Sequence, residues 1–480
     1  MKYWLGIDIG TGGSRALLVD AEGEVAAAVT EAHEEIEMRR PQWAEQRPEN
    51  WGEAAFAAIR EALAKAGVKG DDVAAVGFSG QMHGLTLLDR ADRVIRPALI
   101  WCDQRSQKQV DWMNAKAGAE FVLQQTANPV LTGFTAPKLL WVRDHDPASY
   151  ERVAKVLLPK DYVRFLLTGE HAGDVSDASG TALFDVVGRR WARPLIEKIG
   201  VDPSVLPPVF ESCQIAGRVT ASAAEHTGLA AGTPVVAGAG DQAASAVGAG
   251  IVEAGLVSCT IGTSGVVFSH LDKPAYDPRG RVHTFCHAVP GKWHVMGVTQ
   301  GAGLSLQWFR NQLGFDASAR AAREGGDAYN LLLAEAAAAP PGSEGLYWLP
   351  YLMGERTPHL DASARGGWVG LTARHTRAHL IRSLVEGVSY SLKDCLDLVA
   401  SLGVEATAVR AAGGGARNPF WRNVLAGVFG LPIATMRSQE GSAYGAALLA
   451  MVGSGQYATV EEACRATLAE RDRISPDPEQ

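Results

Sequence analysis

Two aspartates lie beside small residues in or directly after apolar runs, where an unpaired carboxylate is energetically unfavourable. Asp8 lies inside the apolar run 3–9, directly before a glycine-rich stretch, and Asp241 follows a second apolar run. A carboxylate in an apolar strand is costly unless a partner offsets its charge. Asp8 can hold Mg²⁺ through water, and Asp241 can accept the proton of an attacking hydroxyl. The alternative for Asp241 is a structural role as the cap of a helix beginning at Gln242.

Glycine-rich stretches with small hydroxyl side chains occur twice and suit the binding of phosphate. Residues 9–13 read IGTGG, and residues 261–265 read IGTSG. Glycines let backbone N–H groups approach phosphate oxygens closely, and Arg15 can offset phosphate charge. The alternative is that these stretches are ordinary turns whose similarity is accidental.

Two further glycine-containing stretches leave more than one chemistry open. Residues 238–243, GAGDQA, resemble a dinucleotide fingerprint, but no acidic residue ends a strand at the ~20-residue distance that this fingerprint needs. Residues 413–415 are three glycines followed by Asn418, which suits a flat ligand on the backbone or a plain strand-to-helix turn. The sequence has neither the GxxxxGK[ST] P-loop nor the protein-kinase motifs.

A polar stretch of four residues, QMHG at 81–84, follows a predicted buried strand and is a candidate sugar site. Gln81 and His83 can hydrogen-bond to several hydroxyl groups, and Met82 can cover an apolar sugar face. The alternative is a core methionine beside a hydrogen-bonded histidine.

The elements that must position these residues follow the same order in both halves of the chain. Strands are predicted over 3–9, 15–19 and 73–78 around the first glycine loop, and over 256–261 and 266–269 around the second. Helices are predicted near 51–63, 379–399 and 418–430. This arrangement predicts two similar α/β domains with a ligand cleft between them and a boundary near residue 250.

Composition and charge restrict the classes of protein that fit. The 480 residues carry 45 basic and 53 acidic side chains, a net charge of −8, without a long basic run, which argues against nucleic-acid binding. No stretch reaches the ~20 apolar residues of a membrane span, and Asp8 comes too early for a signal peptide. The six cysteines are scattered without a CxxC pair, as in reduced cytoplasmic proteins. A cytoplasmic enzyme is expected.

Several longer motifs resemble those of a known family. The signatures of the FGGY carbohydrate kinases are similar to residues 133–141 (GFTAPKLLW), 158–162 (LPKDY), 176–180 (SDASG), 354–358 (GERTP) and 366–386. The resemblance runs from about residue 3 to about residue 451. It implies an α/β, two-domain actin-like ATPase fold of the ribonuclease H-like type with an inter-domain cleft. The sugar-binding domain would span 1–250 and the nucleotide-binding domain 251–480.

The resemblance also implies roles for single residues. Asp241 would be the general base and Asp8 an essential acid, with both carboxylates near Mg²⁺ through water. The substrate contacts would be Gln81, Met82, His83, Asp241 and Gln242. The ATP contacts would be Thr11, Arg15, Thr263, Gly303, Gln307, Gly414 and Asn418.

The reaction that the resemblance implies is the transfer of a phosphoryl group from MgATP to D-xylulose, giving D-xylulose 5-phosphate. Residues 81–84 point to xylulose, whereas Gln242 is the residue expected in glycerol kinases, so glycerol, L-xylulose and ribulose stay open. The alternatives of another class are a nicotinamide-dependent polyol dehydrogenase and a non-catalytic actin-like ATPase. The expected partner is a small sugar, and the oligomeric state is open, with a homodimer as one arrangement.

Overall fold

The structure is a computed structural model that describes residues 1–438 and 440–477. The strands of the first half are β1 (Tyr3–Ile9), β2 (Gly13–Asp20), β3 (Val25–Ala32), β4 (Glu45–Gln46), β5 (Val73–Gly80), β6 (Thr86–Leu88), β7 (Ala98–Leu99), β8 (Lys155–Leu157), β9 (Gly173–Asp174), β10 (Phe184–Asp185), β11 (Arg190–Trp191), β12 (Val209–Phe210), β13 (Ile215–Arg218), β14 (Pro234–Val236) and β15 (Ala239–Gly240). Its helices are α1 (Pro48–Ala66), α2 (Gln107–Ala117), α3 (Ala119–Thr126), α4 (Thr135–His145), α5 (Pro147–Tyr150), α6 (Pro159–Thr168), α7 (Val175–Ala178), α8 (Arg193–Lys198), α9 (Ala221–Thr227) and α10 (Asp241–Gly248).

The second half has fewer strands and longer helices. Its strands are β16 (Leu256–Ile261), β17 (Gly265–Leu271), β18 (His283–Cys286), β19 (Trp293–Thr299), β20 (Tyr347–Leu349), β21 (Gly367–Val369), β22 (Ala408–Ala412), β23 (Ile433–Met436) and β24 (Glu470–Ile474). Its helices are α11 (Gly303–Leu313), α12 (Phe315–Glu324), α13 (Ala328–Ala336), α14 (Arg377–Ser401), α15 (Pro419–Phe429), α16 (Gly441–Gly453) and α17 (Val460–Thr467). In the described part of the chain, no helix is both long enough and apolar enough to span a lipid bilayer.

The first sheet is mixed, because its opening hairpin is antiparallel and the following crossover is parallel. Its order is β13-β14-β5-β1-β2-β3, with β15 added at the end of β5. β1 therefore lies between β2 and β5, so that Asp8 pairs with Arg15 on one side and with Ser79 on the other. Both central strands are almost continuously buried, which explains why they read as apolar runs in the sequence.

The second sheet repeats this topology. Its order is β18-β19-β17-β16-β22-β23-β24, and β16 is antiparallel to β17 and parallel to β22, as β1 is to β2 and β5. The repeat of strand, glycine loop and strand that the sequence indicates is therefore present in both sheets. The boundary at 250/251 falls in the connection between α10 and β16, and it stays a prediction.

One helix of the second half packs on the first sheet. α16 contacts β1, β5 and α10, and its Leu448 and Leu449 join a buried cluster with Trp4 and Val236 of the first half. The helix approaches backbone to backbone, since a Cβ on Gly445 would lie 1.9 Å from the carbonyl oxygen of Ala244. The two halves are thus joined by a shared core as well as by the chain.

Candidate active site

Asp8 lies near the end of β1 with one oxygen left unpartnered. Burial raises the pKa of its carboxyl, and the neighbouring hydroxyls of Ser442 and Ser79 and the charge of Arg15 only partly oppose this shift. The Oδ1 atom of Asp8 is buried and accepts no hydrogen bond from any residue that the structure describes. A buried carboxylate oxygen in this state is available to a hydrated cation.

Asp241 stands at the same edge of the sheet because β15 extends the pairing of β5. Gly240 pairs with Gly80, and Gly80 also pairs with Ile9 of β1. Burial, and after it the charge of Asp8, raises the pKa of Asp241 to about 7. The two carboxylates are therefore near enough for their charges to interact. The cap of α10 is Gly240, and Asp241 is its first helical residue, so the purely structural capping role does not apply.

The first glycine loop, residues 10–12, is fixed by several hydrogen bonds, but some of its backbone N–H groups have no acceptor among the described residues. Gly10 N–H donates to the Gly13 carbonyl at 3.0 Å, and the carbonyl of Thr11 accepts the side-chain amide of Gln46 at 2.8 Å. The hydroxyl of Thr11 accepts from the indole of Trp101 at 2.9 Å. Among the described residues, no acceptor is present for the backbone N–H of Thr11 or Gly12. These free donors suit phosphate oxygens.

The second glycine loop, residues 262–264, has the same design. Gly262 N–H donates to the Ser264 carbonyl at 3.0 Å, as Gly10 does to Gly13 in the first loop. The carbonyl of Thr263 accepts two N–H groups from the start of α11, and Gly303 N–H donates to the Gly262 carbonyl at 2.8 Å. The N–H of Thr263 finds no acceptor in the described part of the chain. α11 thus fixes the loop while its tip stays open.

The remaining predicted nucleotide residues border the second loop. β22 runs beside β16, so the exposed Gly414 follows a strand end next to the loop. Asn418 caps α15 by accepting the N–H of Phe420 at 2.9 Å, and its amide also donates to Asn330. Gln307 is exposed on α11. An open backbone surface with polar side chains along its rim can hold a flat base.

Arg15 is engaged by a residue of the second half. Its guanidinium forms an ion pair with Glu440 immediately before α16, and it donates to the hydroxyl of Thr30 at 2.8 Å. Arg15 reaches Asp8 through its charge alone. Any phosphate that Arg15 binds has to share it with Glu440.

His83 is a neutral hydrogen-bond acceptor toward the cleft. Burial lowers the pKa of its imidazole to about 3, and the charge of Lys138 adds to the shift. Its Nδ1 lies 2.7 Å from the carbonyl oxygen of Gly180 and must carry the proton, because a carbonyl can only accept. Nε2 is therefore the lone-pair nitrogen. The ring stacks on Phe134 at 4.7 Å between centroids.

Met82 and Gln81 have different surroundings from His83. Met82 is buried against the backbone before Asp241, where a Cβ on Gly240 would lie 2.9 Å from its Cγ. Gln81 is buried behind the first loop and donates to Gln46 at 3.1 Å. Gln81 therefore supports the loop, and Met82 lies beside the residue preceding Asp241. Gln242 hydrogen-bonds to Asp241, the contact that partly opposes the rise in its pKa.

The buried ionic cluster behind Asp241, which residues of 158–162 and 176–180 form together with Asp174, was not predicted from the sequence. The ammonium of Lys160 is fully buried, 2.6 Å from Asp161 and 2.8 Å from Asp174. Asp174 also accepts the hydroxyl of Ser176 at 2.6 Å, and that hydroxyl accepts the N–H of Gly240 at 3.1 Å. The cluster thus anchors the residue preceding Asp241. The signal in the sequence is the pair of adjacent charged residues, Lys160 and Asp161, within an otherwise largely apolar stretch.

A second missed residue is Lys138, from the stretch at 133–141. Its ammonium is fully buried, donates to the carbonyls of His83 at 3.0 Å and Gly133 at 2.6 Å, and burial lowers its pKa to about 7. Thr135 donates to the same carbonyl of His83. These two contacts hold His83 at a φ of 70°, which a histidine rarely adopts.

The second half covers the sugar side of this site. Phe285 of β18 lies 6.3 Å from the ring of His83, and His283 lies 5.9 Å from Phe134, between centroids. Phe134, Phe285 and Met82 belong to one buried hydrophobic cluster that spans both halves. A polyol bound at His83 would be enclosed between the halves.

The acidic pair fits a hydrated Mg²⁺ rather than a fully protein-bound metal. Asp8 offers an unpartnered oxygen, and Asp241 is close enough to feel its charge. Within the described residues, no group of three or more acidic, histidine or cysteine side chains is placed to bind a metal. Mg²⁺ ordinarily keeps several waters and takes one or two carboxylates plus phosphate oxygens. The residues fit that ion.

Comparison with known proteins finds matches to two family domains along the chain. Residues 3–248 match the N-terminal domain of the FGGY family of carbohydrate kinases, and residues 257–454 match its C-terminal domain. A xylulose kinase of Bacillus subtilis is 38% identical over 476 residues, covering 99% of this chain and 93% of the relative. That of Escherichia coli is 39% identical over 452 residues, covering 94% and 90%.

Solved structures agree over the whole length. The crystal structure of a xylulose kinase from Rhodospirillum rubrum superposes with a TM-score of 0.91 at 32% identity, covering 99% of this chain and 95% of the other. The two-domain actin-like fold is confirmed, and the antiparallel hairpins in both sheets contradict the dinucleotide-binding alternative. This chain belongs to the FGGY family of carbohydrate kinases.

Proposed function

We propose that this enzyme transfers the γ-phosphoryl group of ATP to the terminal hydroxyl of D-xylulose, with Asp241 as the general base. The observation that carries the proposal is the meeting of Asp8 and Asp241 at one sheet edge, beside Met82 and His83. The full-length similarity to xylulose kinases supports the choice of sugar.

Asp241 suits the role of base because of its surroundings. A carboxyl with a pKa of about 7 accepts a proton more strongly than an ordinary aspartate, yet is still largely ionised slightly above neutral pH. The cluster around Lys160 holds the preceding backbone, so the carboxylate has little freedom to turn away from the sugar hydroxyl.

The sugar is oriented by hydrogen bonding and apolar contact. Nε2 of His83 accepts a hydrogen bond from a sugar hydroxyl, since Nδ1 already donates to Gly180. Met82 covers carbon atoms of the sugar next to the base. Enclosure by Phe285 from the second half removes water that would otherwise compete for the phosphoryl group.

The two glycine loops bind the phosphates from opposite halves. The N–H groups of Thr11, Gly12 and Thr263, which have no acceptor among the described residues, are the proposed donors to the phosphates, and such preorganised donors stabilise charge on the transferring group. Mg²⁺ bound at Asp8 supplies further neutralisation of phosphate charge. Gly303, Gln307, Gly414 and Asn418 are the proposed contacts for the nucleoside, and Arg15 for phosphate.

A substrate panel tests the choice of sugar. ADP release is measured with D-xylulose, L-xylulose, D-ribulose, D-gluconate and glycerol at fixed MgATP, and without sugar. D-xylulose should give the highest kcat/KM, and hydrolysis without sugar should be slow. A higher kcat/KM for another polyol would identify that polyol, instead of D-xylulose, as the substrate. ATP hydrolysis that does not depend on sugar would favour the non-catalytic actin-like ATPase.

The base is tested by Asp241→Asn. The substitution removes the proton acceptor while keeping the shape, so kcat should fall by about 10²-fold or more with unchanged ATP affinity. Asp397→Asn, an exposed carboxylate paired with Lys393 on α14, is the matched control and should keep full activity. Near-normal turnover of Asp241→Asn would remove Asp241 from this role.

A further inference from the structure

A second pocket is lined by residues of the first half that are not among the predicted site residues. It has a volume of about 570 Å³ and lies between the segment 40–43, the start of α2 and the end of α4. Pockets that bind small molecules range from about 300 to 1,000 Å³. Its lining consists of Arg40, Gln42, Trp43, Gln104, Arg105, Gln107, Lys108, Gln109, Trp141 and His145.

The lining is cationic in a protein whose net charge is −8. It contains three permanent cations and no carboxylate. Glu45 and Asp103 offset the charge of Arg105 from behind, at 2.8 and 2.6 Å. Arg40 and Lys108 form no ion pair with any described residue. The surplus positive charge favours an anion.

The start of α2 adds backbone donors to the same pocket. Gln107 and Lys108 are its first two residues, and their N–H groups find no acceptor in the described part of the chain. The N–H groups of a helix N-terminus bind phosphate readily when a cationic side chain is nearby. A phosphate can therefore contact Arg40, Lys108 and this first turn together.

The glutamines suit hydroxyl groups. Gln109 is only 4% exposed, and its amide donates to Asp144 at 3.0 Å, but its Oε1 is buried and accepts no hydrogen bond from the described part of the chain. A lone acceptor of this kind calls for a hydroxyl donor. The faces of Trp43 are already taken by Arg40 at 5.0 Å and Arg105 at 3.7 Å, so the indole orients guanidinium groups instead of stacking on a base.

We propose that this pocket binds a sugar phosphate, with the phosphate at Arg40, Lys108 and the first turn of α2. The sugar hydroxyls lie on the amides of Gln104 and Gln109. This site does not rest on the proposed choice of D-xylulose, because none of its residues belongs to the reaction centre.

The pocket is connected to the first glycine loop by a short path. Trp43 lines the pocket, and Gln46, three residues later, donates to the Thr11 carbonyl at 2.8 Å. The N–H of Gln104 donates to the Gln42 carbonyl at 2.8 Å, which ties two lining segments together. Occupation of the pocket should therefore change the KM for ATP more than the KM for the sugar.

Calorimetric titration of the full-length protein with D-ribose 5-phosphate, D-glucose 6-phosphate, inorganic phosphate and D-ribose tests the site. A sugar phosphate should bind more tightly than either phosphate or ribose alone. Whichever of the pentose phosphate and the hexose phosphate binds more tightly identifies the class of sugar that the site prefers. Either preference supports the site. Equal affinity for inorganic phosphate and the sugar phosphates would overturn the proposal.

Paired variants separate the pocket from general charge effects. Arg40→Gln combined with Lys108→Gln should weaken the binding of the sugar phosphate by at least about tenfold, since two charged contacts are lost. The control is Arg39→Gln combined with Lys116→Gln, which removes the same charge from neighbouring exposed positions and should bind as the wild type does. Both should keep normal kinase activity without sugar phosphate. Wild-type affinity in the Arg40/Lys108 variant would also overturn the proposal.

Discussion

At the scale of single residues, the candidate active site buries two carboxyl groups in surroundings that disfavour their ionised form. Asp241 is raised to a pKa of about 7 by burial and by Asp8, although an unfolded aspartate titrates near 3.8. The folded protein therefore binds one more proton than the unfolded chain between these values, and it loses stability as the pH rises through them. The reactivity of the proposed base and the stability of the fold are therefore opposed at this position.

Asp241→Asn should consequently stabilise the protein at high pH. The free energy of unfolding at pH 8 should increase by about 1–3 kcal/mol, because the variant has no carboxylate to ionise in the buried site. Denaturant titrations at pH 8 and pH 5 measure the effect, which should shrink at the lower pH. Asp397→Asn should show no such pH-dependent gain. Equal stability of Asp241→Asn and wild type at pH 8 would contradict a raised pKa.

His83→Leu should impair sugar binding selectively. The substitution removes the Nε2 acceptor and the stacking on Phe134 while leaving both glycine loops in place, so the KM for the sugar should rise by about tenfold or more. The KM for ATP should stay within about twofold. Because the pKa of His83 is about 3, its titration should not alter the sugar KM between pH 6 and 8. An unchanged sugar KM in the variant would exclude His83 from the site.

At the scale of elements, catalysis depends on strand ends and the helices that brace them. Each glycine loop is the turn of a hairpin, and each is held by contacts behind it that leave the tip free. The first is braced by the side chains of Gln46 and Gln81, whereas the second is braced by the backbone of α11. The loops therefore respond differently to substitution.

Gly303→Ala should damage nucleotide binding through the second loop. A Cβ at this position would lie 2.5 Å from the Gly262 carbonyl oxygen, which forces the loop or α11 to shift. The KM for ATP should rise at least about tenfold with little change in sugar affinity, measured by initial rates and by titration with the sugar. Gly367→Ala, where a Cβ meets no atom within 4 Å, is the control and should behave as wild type.

Elements with strong local signals were predicted well. The strand over 256–261 was predicted with the bounds of β16, and the helix predicted over 379–399 is α14 at Arg377–Ser401. α15 has the predicted cap at Asn418 and ends at Gly430 in a left-handed conformation. These features are local, because apolar periodicity, capping side chains and glycine stops act within a few residues.

Features that depend on residues far apart in the chain could not be predicted from the sequence. The ion pair of Arg15 with Glu440 spans 425 positions, and no pattern near either residue indicates it. Gln81 was predicted as a sugar ligand because its amide can hydrogen-bond to hydroxyl groups, yet its side chain lies behind the first loop. The pairing of Lys160 with Asp174 required the fold of the whole first half.

At the scale of the whole molecule, the two halves are not independent bodies. The second sheet lies beyond residue 255, yet α16 returns to cover β1, β5 and α10 of the first half. α16 is apolar on almost every side, a pattern that predicts burial but not the surface it covers. The ligand cleft therefore lies between parts that share a core.

The return of α16 sets an order for biosynthesis. On the ribosome, residues 1–250 emerge long before 441–453, so one face of the nascent sheet waits uncovered while almost two hundred further residues are made. A fragment of 1–250 produced alone should aggregate, and fusing 441–453 to its end through a flexible linker should yield more soluble protein, as measured by centrifugation of lysates. A fully soluble, monomeric 1–250 fragment would show that the exposed face needs no late-arriving cover, and that synthesis can pause safely at the midpoint.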